Sequence, residues 1–365
     1  MKIEGMVIGA TAIVSLAIVG ACSSSPATDD GGVDGAIADA SPDGDGAIAK
    51  TDGDAAQPET GGGDGAVCNV ATSFATTTKS SYPFGVAKGP DGNVWFTESG
   101  IFQIAMITPA GQITEFPSKT TYAPRFITTG PDGNVWFTEF TQNVGSKIGT
   151  MTPSGTLTEY PLTSNAGPDG ITTGPDGNVW FAEKNNVAKI TPTGTLTEYP
   201  LTPVGQGIVP TGVAIVTGPD NNLWFTEYGN NKIASVTTSG TITEYPVPTA
   251  MAGLSGLTVG PDGKLWFTEE GQNPKIGNIT TSGTVTEYAL SGLVAAPSAI
   301  TTGADGNLWF AEAGDNVIGR ITTAGVIVGC PVGITGASTQ SIVSGADGNI
   351  WFPGYLGSAV WRLAP

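Results

Sequence analysis

The sequence contains one eight-residue pattern seven times, and this repeat constrains the fold more than any other feature. The pattern is Gly, Pro or Ala, Asp, Gly or Asn, Asn or Lys, an aliphatic residue, Trp and Phe. A period in the low forties, rich in Thr, Val, Ile and Gly and without helical spacing, is typical of a β-propeller blade. The repeats therefore predict an all-β, seven-bladed propeller. Its tryptophans lie 41 to 44 residues apart and are Trp95, Trp136, Trp180, Trp224, Trp266, Trp309 and Trp351.

Each repeat divides into four strands. In the clearest copy we predict strands over 168–174, 179–183, 187–191 and 195–201. The Pro-Asp-Gly-Asn sequence between the first two is a tight turn, in which Gly supplies a positive φ and Asp caps the turn. A single blade cannot bury both of its faces, so we expect the repeated tryptophans to pack between neighbouring blades.

The last repeat lacks a fourth strand, because the chain ends soon after Trp361. Residues 70–74 resemble the Thr-Glu-Tyr strand that ends the other repeats, with Phe74 in the position of the tyrosine. We therefore predict that this N-terminal strand completes blade seven and closes the ring without an exposed seam.

Within the first 22 residues, the stretch from Met6 to Gly20 is apolar and too short to span a membrane comfortably, and it leads into Val-Gly-Ala-Cys. This ending resembles a bacterial lipoprotein box and predicts a signal peptide over 1–22 with lipidation of Cys22. Ser23 favours release to the outer membrane by resemblance to other lipoproteins, so we expect an exported lipoprotein of the cell envelope. An ordinary signal peptide and an uncleaved helix are the alternatives.

Residues 23–67 are rich in Ala, Asp and Gly, contain no aromatic residue, and carry ten acidic side chains against one base. Such a segment cannot bury enough apolar surface to fold, and we interpret it as a disordered tether before a propeller over 68–365. The whole chain has a net charge of −18. An acidic chain does not bind nucleic acid, which needs a basic face. We expect a monomer that contacts the membrane only through its lipid, with a small molecule, a glycan or an envelope protein as partner.

Two cysteines remain if Cys22 carries a lipid. Cys330 takes the tyrosine position of the sixth fourth strand, and Cys68 just precedes the strand that closes blade seven. The two blades are neighbours and the expected compartment is oxidising, so we predict a Cys68–Cys330 disulfide.

Six of the second strands end in a glutamate, and these side chains reach the face of the propeller with the variable loops. A ring of carboxylates can hold a cation. The alternative, which the repetition favours, is that each glutamate ties its blade to a neighbour's backbone. Pro353 interrupts the series in blade seven. The six residues are Glu98, Glu139, Glu183, Glu227, Glu269 and Glu312.

The start of each first strand is the place where the repeats differ. Divergent side chains on identical scaffolding are typical of a ligand surface. Arg125 and Asp169 carry opposite charges in adjacent blades, and they either bind a ligand or form an ion pair. The candidate ligand-binding residues are Phe84, Arg125, Asp169, Thr211, Ser255, Ser298 and Gln340.

The repeated unit, with Gly-Pro-Asp-Gly-Asn-x-Trp-Phe-Thr-Glu and Thr-Glu-Tyr-Pro-Leu segments, resembles the virginiamycin B lyase (streptogramin lyase) family over about residues 69–365. The resemblance implies elimination across the ester bond of a cyclic depsipeptide antibiotic, with magnesium, glutamates and a histidine base. Glu269 and Glu312 match the glutamate positions and are the candidate metal ligands. The chain contains no histidine, so Asp169 is the candidate for a substituted catalytic base.

Three functions are consistent with these features. The first is a non-catalytic module that binds a ligand or partner on the variable-loop face. The second is an enzyme, either a lyase with a substituted base or a carboxylate-and-metal lactonase, which would use a divalent cation such as Mg²⁺. The third is a purely structural envelope protein.

Overall fold

A computed structural model describes an all-β domain built from seven four-stranded antiparallel sheets. These sheets are the blades of a seven-bladed propeller, so the predicted fold class is confirmed. The predicted signal peptide, Cys22, Cys68 and the tether lie outside the described residues. No helix within the described part of the chain is long and apolar enough to cross a membrane. The described ranges are 69–117, 119–141, 145–163, 167–201, 212–290, 296–312, 317–331 and 339–365.

Blades 1 to 6 each contain four consecutive strands, called a, b, c and d from the central channel outward. In blades 1 to 3 they are β2 (Pro83–Lys88), β3 (Val94–Glu98), β4 (Gln103–Ile107), β5 (Ile113–Glu115), β6 (Ala123–Thr129), β7 (Val135–Phe140), β8 (Lys147–Met151), β9 (Leu157–Pro161), β10 (Pro168–Thr173), β11 (Val179–Glu183), β12 (Asn186–Ile190) and β13 (Leu196–Pro200). In blades 4 to 6 they are β14 (Gly212–Thr217), β15 (Leu223–Glu227), β16 (Lys232–Val236), β17 (Ile242–Pro246), β18 (Leu254–Val259), β19 (Leu265–Glu269), β20 (Lys275–Ile279), β21 (Val285–Ala289), β22 (Pro297–Thr302), β23 (Leu308–Glu312), β24 (Val317–Ile321) and β25 (Ile327–Pro331).

Blade 7 takes its strands from both ends of the domain. Its strands a, b and c are β26 (Val343–Ser344), β27 (Ile350–Gly354) and β28 (Ala359–Leu363), and its strand d is β1 (Thr72–Ala75). Phe74 pairs with Val360 across the closing strands and stacks on Trp351 with ring centroids 5.6 Å apart. The predicted closure of the ring by the N-terminal strand is therefore confirmed, with Phe74 in the tyrosine position.

The blades are held together by a repeated apolar contact. Trp136 on strand b of blade 2 is fully buried, and it belongs to one core cluster with Phe181 and Ile190 of blade 3. Tyr160 on the outer strand of blade 2 stacks on the same indole, with centroids 5.7 Å apart. This arrangement confirms that the repeated tryptophans pack between blades, where each contributes a large buried apolar area.

The turn between strands a and b accepts a hydrogen bond from the indole nitrogen of the buried tryptophan. Asp176 accepts a hydrogen bond from the indole Nε1 of Trp180 at 2.9 Å and from Nδ2 of Asn178 at 2.8 Å. Gly177 has φ +72°, a conformation that glycine adopts without steric cost. The same Asp-to-Trp bond occurs in every blade, so the repeated motif is a turn that also satisfies the buried indole.

Cys330 lies on strand d of blade 6, is 3% exposed and is disulfide-bonded. It pairs with Ile318, as Tyr288 pairs with Ile276 in blade 5, and so takes the position of the tyrosine. Its pairing with Cys68 stays a prediction, because Cys68 lies outside the described residues.

Candidate ligand site at the channel mouth

The candidate ligand residues lie where the innermost strands depart from regular pairing. In blade 3 the register between strands a and b shifts between Pro168 and Ile171, which brackets Asp169. Corresponding shifts occur in blades 1, 2, 4, 5 and 6. Such bulges re-aim side chains and are common beside functional sites. The irregularity places the divergent residues at the mouth of the central channel, on the face opposite the Asp-to-Trp turns.

A threonine and a glycine make this irregular segment possible. In blade 5 the Thr268 hydroxyl accepts a hydrogen bond from the Gly256 amide at 2.7 Å and donates to the Ser298 carbonyl of blade 6 at 2.9 Å. A Cβ atom on Gly256 would lie 2.6 Å from that carbonyl oxygen. The close approach of neighbouring blades therefore requires glycine here, and the threonine satisfies the backbone groups that the bulge releases.

Arg125 and Asp169 form an ion pair between the innermost strands of blades 2 and 3. Nη1 of Arg125 lies 3.3 Å from Oδ1 of Asp169, and the two side chains are 34% and 18% exposed. Burial raises the pKa of Asp169 to about 6, although the charge of Arg125 and its hydrogen bond oppose this rise. The carboxyl group is thus partly desolvated and titrates close to neutral pH.

Aromatic rings hold the guanidinium group of Arg125 in place. Its central carbon lies 4.1 Å from the ring centroid of Phe140 and 5.3 Å from that of Phe84. Phe84 in turn makes edge contacts with Phe126 at 5.4 Å and Tyr355 at 6.0 Å. A cation between aromatic faces is stabilised by the ring quadrupoles and loses much of its freedom to move. We call Phe84, Phe126, Phe140 and Tyr355 the aromatic sector.

Tyr82 extends the aromatic sector toward solvent. Its ring lies 5.3 Å from that of Tyr355, it is 36% exposed, and its φ is +47°. A bulky residue in the left-handed region is unusual, and such strain is concentrated at functional sites. The sequence-based reasoning missed Tyr82, Phe140 and Tyr355. An available signal was that aromatic residues stand beside the ends of strands a and b in blades 1, 2 and 7.

The other predicted ligand residues lie on different parts of the mouth. Ser298 is 5% exposed, and its hydroxyl donates to the Thr339 carbonyl at 2.8 Å. Ser255 and Gln340 line the channel together with Ser298. Thr211 lies outside the described residues. The structure therefore brings Phe84, Arg125 and Asp169 together, while Ser298 has a bond that joins blade 6 to the segment leading into blade 7.

The channel below the mouth is a cavity of about 420 Å³ lined by the innermost strands of all seven blades. Most of its wall is apolar, with Phe126, Ala214, Val216 and Val343 among the lining residues. Ligand pockets in proteins are typically apolar clefts of about 300–1,000 Å³ with a few placed polar groups. The cavity has the size and composition of such a pocket.

The second-strand glutamates are buried. Glu98 and Glu269 are 0% exposed, and neither has a hydrogen-bond partner with good geometry in the described part of the chain. Glu139 accepts a hydrogen bond from the Tyr122 amide at 3.1 Å, in the connection between blades 1 and 2. Burial raises the pKa of Glu98 and Glu139 to about 8 and that of Glu269 to about 7. These carboxyl groups are stabilised in their protonated form.

The two glutamates proposed as metal ligands lie in different gaps between blades. Glu269 is on the same strand face as Phe267, which packs against Trp224 of blade 4. Glu312 shares its face with Phe310, which packs against Trp266 of blade 5. Among the described residues no three acidic, histidine or cysteine side chains come together to hold a metal ion. The described residues therefore do not by themselves assemble the magnesium site that the family resemblance implies.

In blade 7 the glutamate position is taken by Gly354, and the assignment to Pro353 was wrong. Gly354 pairs with Ala359, as Glu98 pairs with Gln103, whereas Pro353 takes the position of the threonine. A Cβ on Gly354 would lie 2.8 Å from Nε1 of Trp361. The indole thus occupies space beside the position where other blades carry a carboxyl group.

A second set of glutamates, from the Thr-Glu-Tyr segments, holds the connections between blades. Glu287 accepts hydrogen bonds from the amide and hydroxyl of Thr249 at 3.1 and 2.8 Å, and from Nζ of Lys275 at 2.6 Å. Thr78 with Glu115 and Thr121 with Glu159 repeat the arrangement. These contacts fix the loops that frame the mouth, and they explain why the motif recurs.

The fold and the sequence match one family of known proteins. The family model described as virginiamycin B lyase matches residues 63–207 and 204–365. A streptogramin B lyase structure is 38% identical, covers 80% of this chain and 96% of that chain, and has a TM-score of 0.73. Virginiamycin B lyase from Staphylococcus aureus, solved with quinupristin as a catalytically inactive histidine-to-alanine form, is 39% identical, with 81% and 99% coverage and a TM-score of 0.74.

More distant similarity concerns the fold alone. Hydrazine synthase from Kuenenia stuttgartiensis is 14% identical over 80% of this chain and 97% of that chain, with a TM-score of 0.64. A comparison with curated proteins finds no match.

Proposed function

The chain belongs to the virginiamycin B lyase family, and we propose that within this family it is a ligand-binding propeller rather than a lyase with a histidine base. The observation that carries the proposal is the Arg125–Asp169 pair, set at the channel mouth between the rings of Phe84 and Phe140. A charged group fixed by aromatic rings beside an apolar cavity is a binding site that needs little reorganisation.

The guanidinium group of Arg125 selects the ligand. It has five N–H donors, and its bond to Asp169 uses one of them in the described part of the chain. With 34% of the side chain exposed, the guanidinium side chain is partly open to an anion from solvent. Carboxylates match the geometry of a guanidinium group well. We therefore propose a small ligand that combines a carboxylate with an aromatic or other apolar group.

The missing histidine supports binding rather than the family reaction. A relative of this chain was solved as a catalytically inactive histidine-to-alanine form, and no histidine occurs anywhere in this sequence. Loss of a positioned general base costs roughly 10²–10⁴ in rate. The buried glutamates do not replace it, because they lie in the gaps between blades.

The N-terminal segment supports a location in the cell envelope. We propose that residues 1–22 export the protein, that Cys22 carries a lipid, and that residues 23–67 tether the propeller to the outer membrane. Globomycin treatment of cells that produce the protein tests this step. A precursor that accumulates with its signal peptide supports lipidation, and unchanged processing contradicts it.

Titration of the full chain with benzoate, followed by saturation-transfer NMR, tests the binding role. We expect saturable binding that falls at least tenfold, by about 1.4 kcal/mol or more, in Arg125→Met. Arg320→Met is the matched control, because Arg320 lies over Trp309 in blade 6 at 5.8 Å and is not part of the aromatic sector. Equal benzoate affinity in the two variants would contradict the proposed role of Arg125.

A lyase with Asp169 as base is the second candidate, because its pKa of about 6 suits a general base near neutral pH. In that reaction the Asp169 carboxylate removes a proton from the carbon next to the ester-bearing carbon. The released electron pair forms a C=C bond while the C–O bond breaks and the carboxylate leaves. Activity on quinupristin that is lost in Asp169→Asn would favour this candidate over the binding module.

A further inference from the structure

A chain of aromatic contacts joins the mouth site to the channel cavity. The ring of Phe84 contacts the guanidinium group of Arg125 at 5.3 Å on one side and the ring of Phe126 at 5.4 Å on the other. Phe126 is itself part of the cavity wall. A ligand held at Arg125 would reach the channel along Phe84 and Phe126, the second of which lines the cavity.

The two ends of the cavity differ in character. Its wall contains one charged side chain among the described residues, Lys88, at the opposite end of strand a in blade 1. Between that lysine and the mouth the lining consists of apolar residues, glycines, hydroxyl groups and one amide, with Ala299 from blade 6 and Val343 from blade 7 among the apolar residues. An apolar chain fits this interior, whereas a second charge would lose its hydration there.

We propose that the channel takes the alkyl chain of a small amphiphilic carboxylic acid whose carboxylate binds Arg125, which makes a medium-chain fatty acid the ligand class. This inference rests on the binding role proposed above and extends it from the mouth to the cavity. The volume of about 420 Å³ suits a single chain and lies in the lower part of the range for ligand pockets. The aromatic sector supplies the transition from the charged head to the apolar chain.

The head group binds at Arg125 rather than at Lys88 for a structural reason. Arg125 is held between two rings and against Asp169. Lys88 is exposed at the end of its strand, and no ion pair holds its ammonium group in the described part of the chain. A preorganised guanidinium group loses less conformational entropy on binding a carboxylate than a free lysine does. The two cations therefore provide a matched pair for testing orientation.

Calorimetric titration of the full chain with acetate, hexanoate, octanoate and decanoate, each below its micelle concentration, tests the inference. We expect affinity to rise up to about fourfold for each added CH₂ until the channel is filled, because each methylene is removed from water. Arg125→Met should weaken decanoate binding at least tenfold, whereas Lys88→Met should leave it unchanged. Ala299→Phe, which reduces the cavity, should remove the dependence on chain length and retain benzoate binding. Thermal unfolding checks that each variant is folded.

The outcomes separate this inference from the proposed function. Benzoate binding that depends on Arg125, without any gain from hexanoate to decanoate, would overturn the alkyl channel and leave the mouth site intact. Decanoate affinity that is unaffected by Ala299→Phe would also overturn the channel. Failure of both benzoate and decanoate to bind would overturn both proposals. Loss of decanoate binding in Lys88→Met alone would reverse the orientation and contradict the role of Arg125.

Discussion

The two faces of the propeller differ in how far their residues repeat from blade to blade. On one face the same turn is built seven times, with an aspartate that accepts from the indole of the tryptophan four residues later. On the other face the equivalent positions of strand a hold Phe84, Arg125 and Asp169 in blades 1 to 3 and a serine in blades 5 and 6. The repeated contacts stabilise the ring, so the side chains on the other face can differ from blade to blade.

The divergence is not evenly distributed around the mouth. Blades 7, 1 and 2 contribute the aromatic sector, with Phe84, Phe140 and Tyr355 around Arg125. Blades 5 and 6 contribute Ser255 and Ser298, the second of which is already bonded to a neighbouring backbone carbonyl. In the proposed binding role, the ligand would therefore lie mainly on one side of the channel axis.

The largest expected contrast comes from removing one aromatic ring on each face. Trp180→Ala should lower the free energy of unfolding by about 3–5 kcal/mol, because it empties a fully buried position between blades 3 and 4. Phe84→Ala, at the partly exposed mouth, should cost about 1–2 kcal/mol and weaken benzoate binding. Chemical denaturation measures both. Equal losses of stability would contradict the view that the repeated contacts stabilise the ring while the variable face binds a ligand.

Two glycines in blade 3 distinguish the cost of steric crowding from the cost of a positive φ. A Cβ on Gly170 would lie 2.6 Å from the Val213 carbonyl oxygen of blade 4, so Gly170→Ala should cost about 2–3 kcal/mol. A Cβ on Gly177 would meet nothing within 4 Å, and Gly177→Ala should cost about 1–2 kcal/mol through its positive φ alone. Denaturant midpoints measure the order of the two effects, and the reverse order would disprove the close-packing argument.

The buried glutamates give the stability a pH dependence whose sign follows from their pKa values. The pKa of Glu98 is about 8 in the folded protein and 4.5 ordinarily, so the folded state keeps a proton that the unfolded state releases. Stability should therefore fall as pH rises from about 4.5 to 8. Glu98→Gln should flatten this decline and be about 1–3 kcal/mol more stable than the parent at pH 8.5.

Denaturation of the parent and Glu98→Gln at pH 5.5 and 8.5 measures this effect. Asp91 in the same blade provides the control, because hydrogen bonds from Trp95 and Asn93 outweigh its burial and lower its pKa. Its contribution should be lost only as pH falls below 3.8, so Asp91→Asn should leave the decline between pH 5.5 and 8.5 unchanged. A parent protein whose stability rises over this interval would contradict the assignment of protonated glutamates.

The smallest expected effect on stability belongs to the residue with the largest expected effect on binding. Arg125→Met should change the free energy of unfolding by about 1 kcal/mol or less, because its ion pair is partly exposed and the methionine retains apolar contact with Phe140. The same variant should lose benzoate binding. A destabilisation of several kcal/mol would show that Arg125 holds the blades together.

Much of the fold could be predicted because each sequence repeat corresponds to one blade. The spacing of the tryptophans predicted seven blades, and the missing last strand predicted that residues 70–74 would complete blade seven, where Phe74 stacks on Trp351. The predicted strands of 168–201 agree with β10 to β13 to within one or two residues at each end. These features depend on periodicity and turn chemistry, which are local properties of the sequence.

The site could be predicted only in part, because its contacts join loops whose register the repeat does not fix. Arg125 and Asp169 were identifiable as divergent charges, but their aromatic neighbours Phe140 and Tyr355 follow the ends of b strands, where the repeats no longer align. For the same reason the glutamate position of blade 7 was assigned to Pro353, whereas Gly354 holds that position. The raised pKa values of Glu98 and Glu139 depend on burial between blades, which no single repeat reveals.

The most direct test of a binding role without histidine-based catalysis is incubation of the full chain with quinupristin and magnesium, followed by chromatography and mass spectrometry. The proposed role predicts that the antibiotic keeps its retention time and mass over many hours. A product of unchanged mass and altered retention would show elimination and contradict the proposed role. Loss of that product in Asp169→Asn would then assign the base to Asp169.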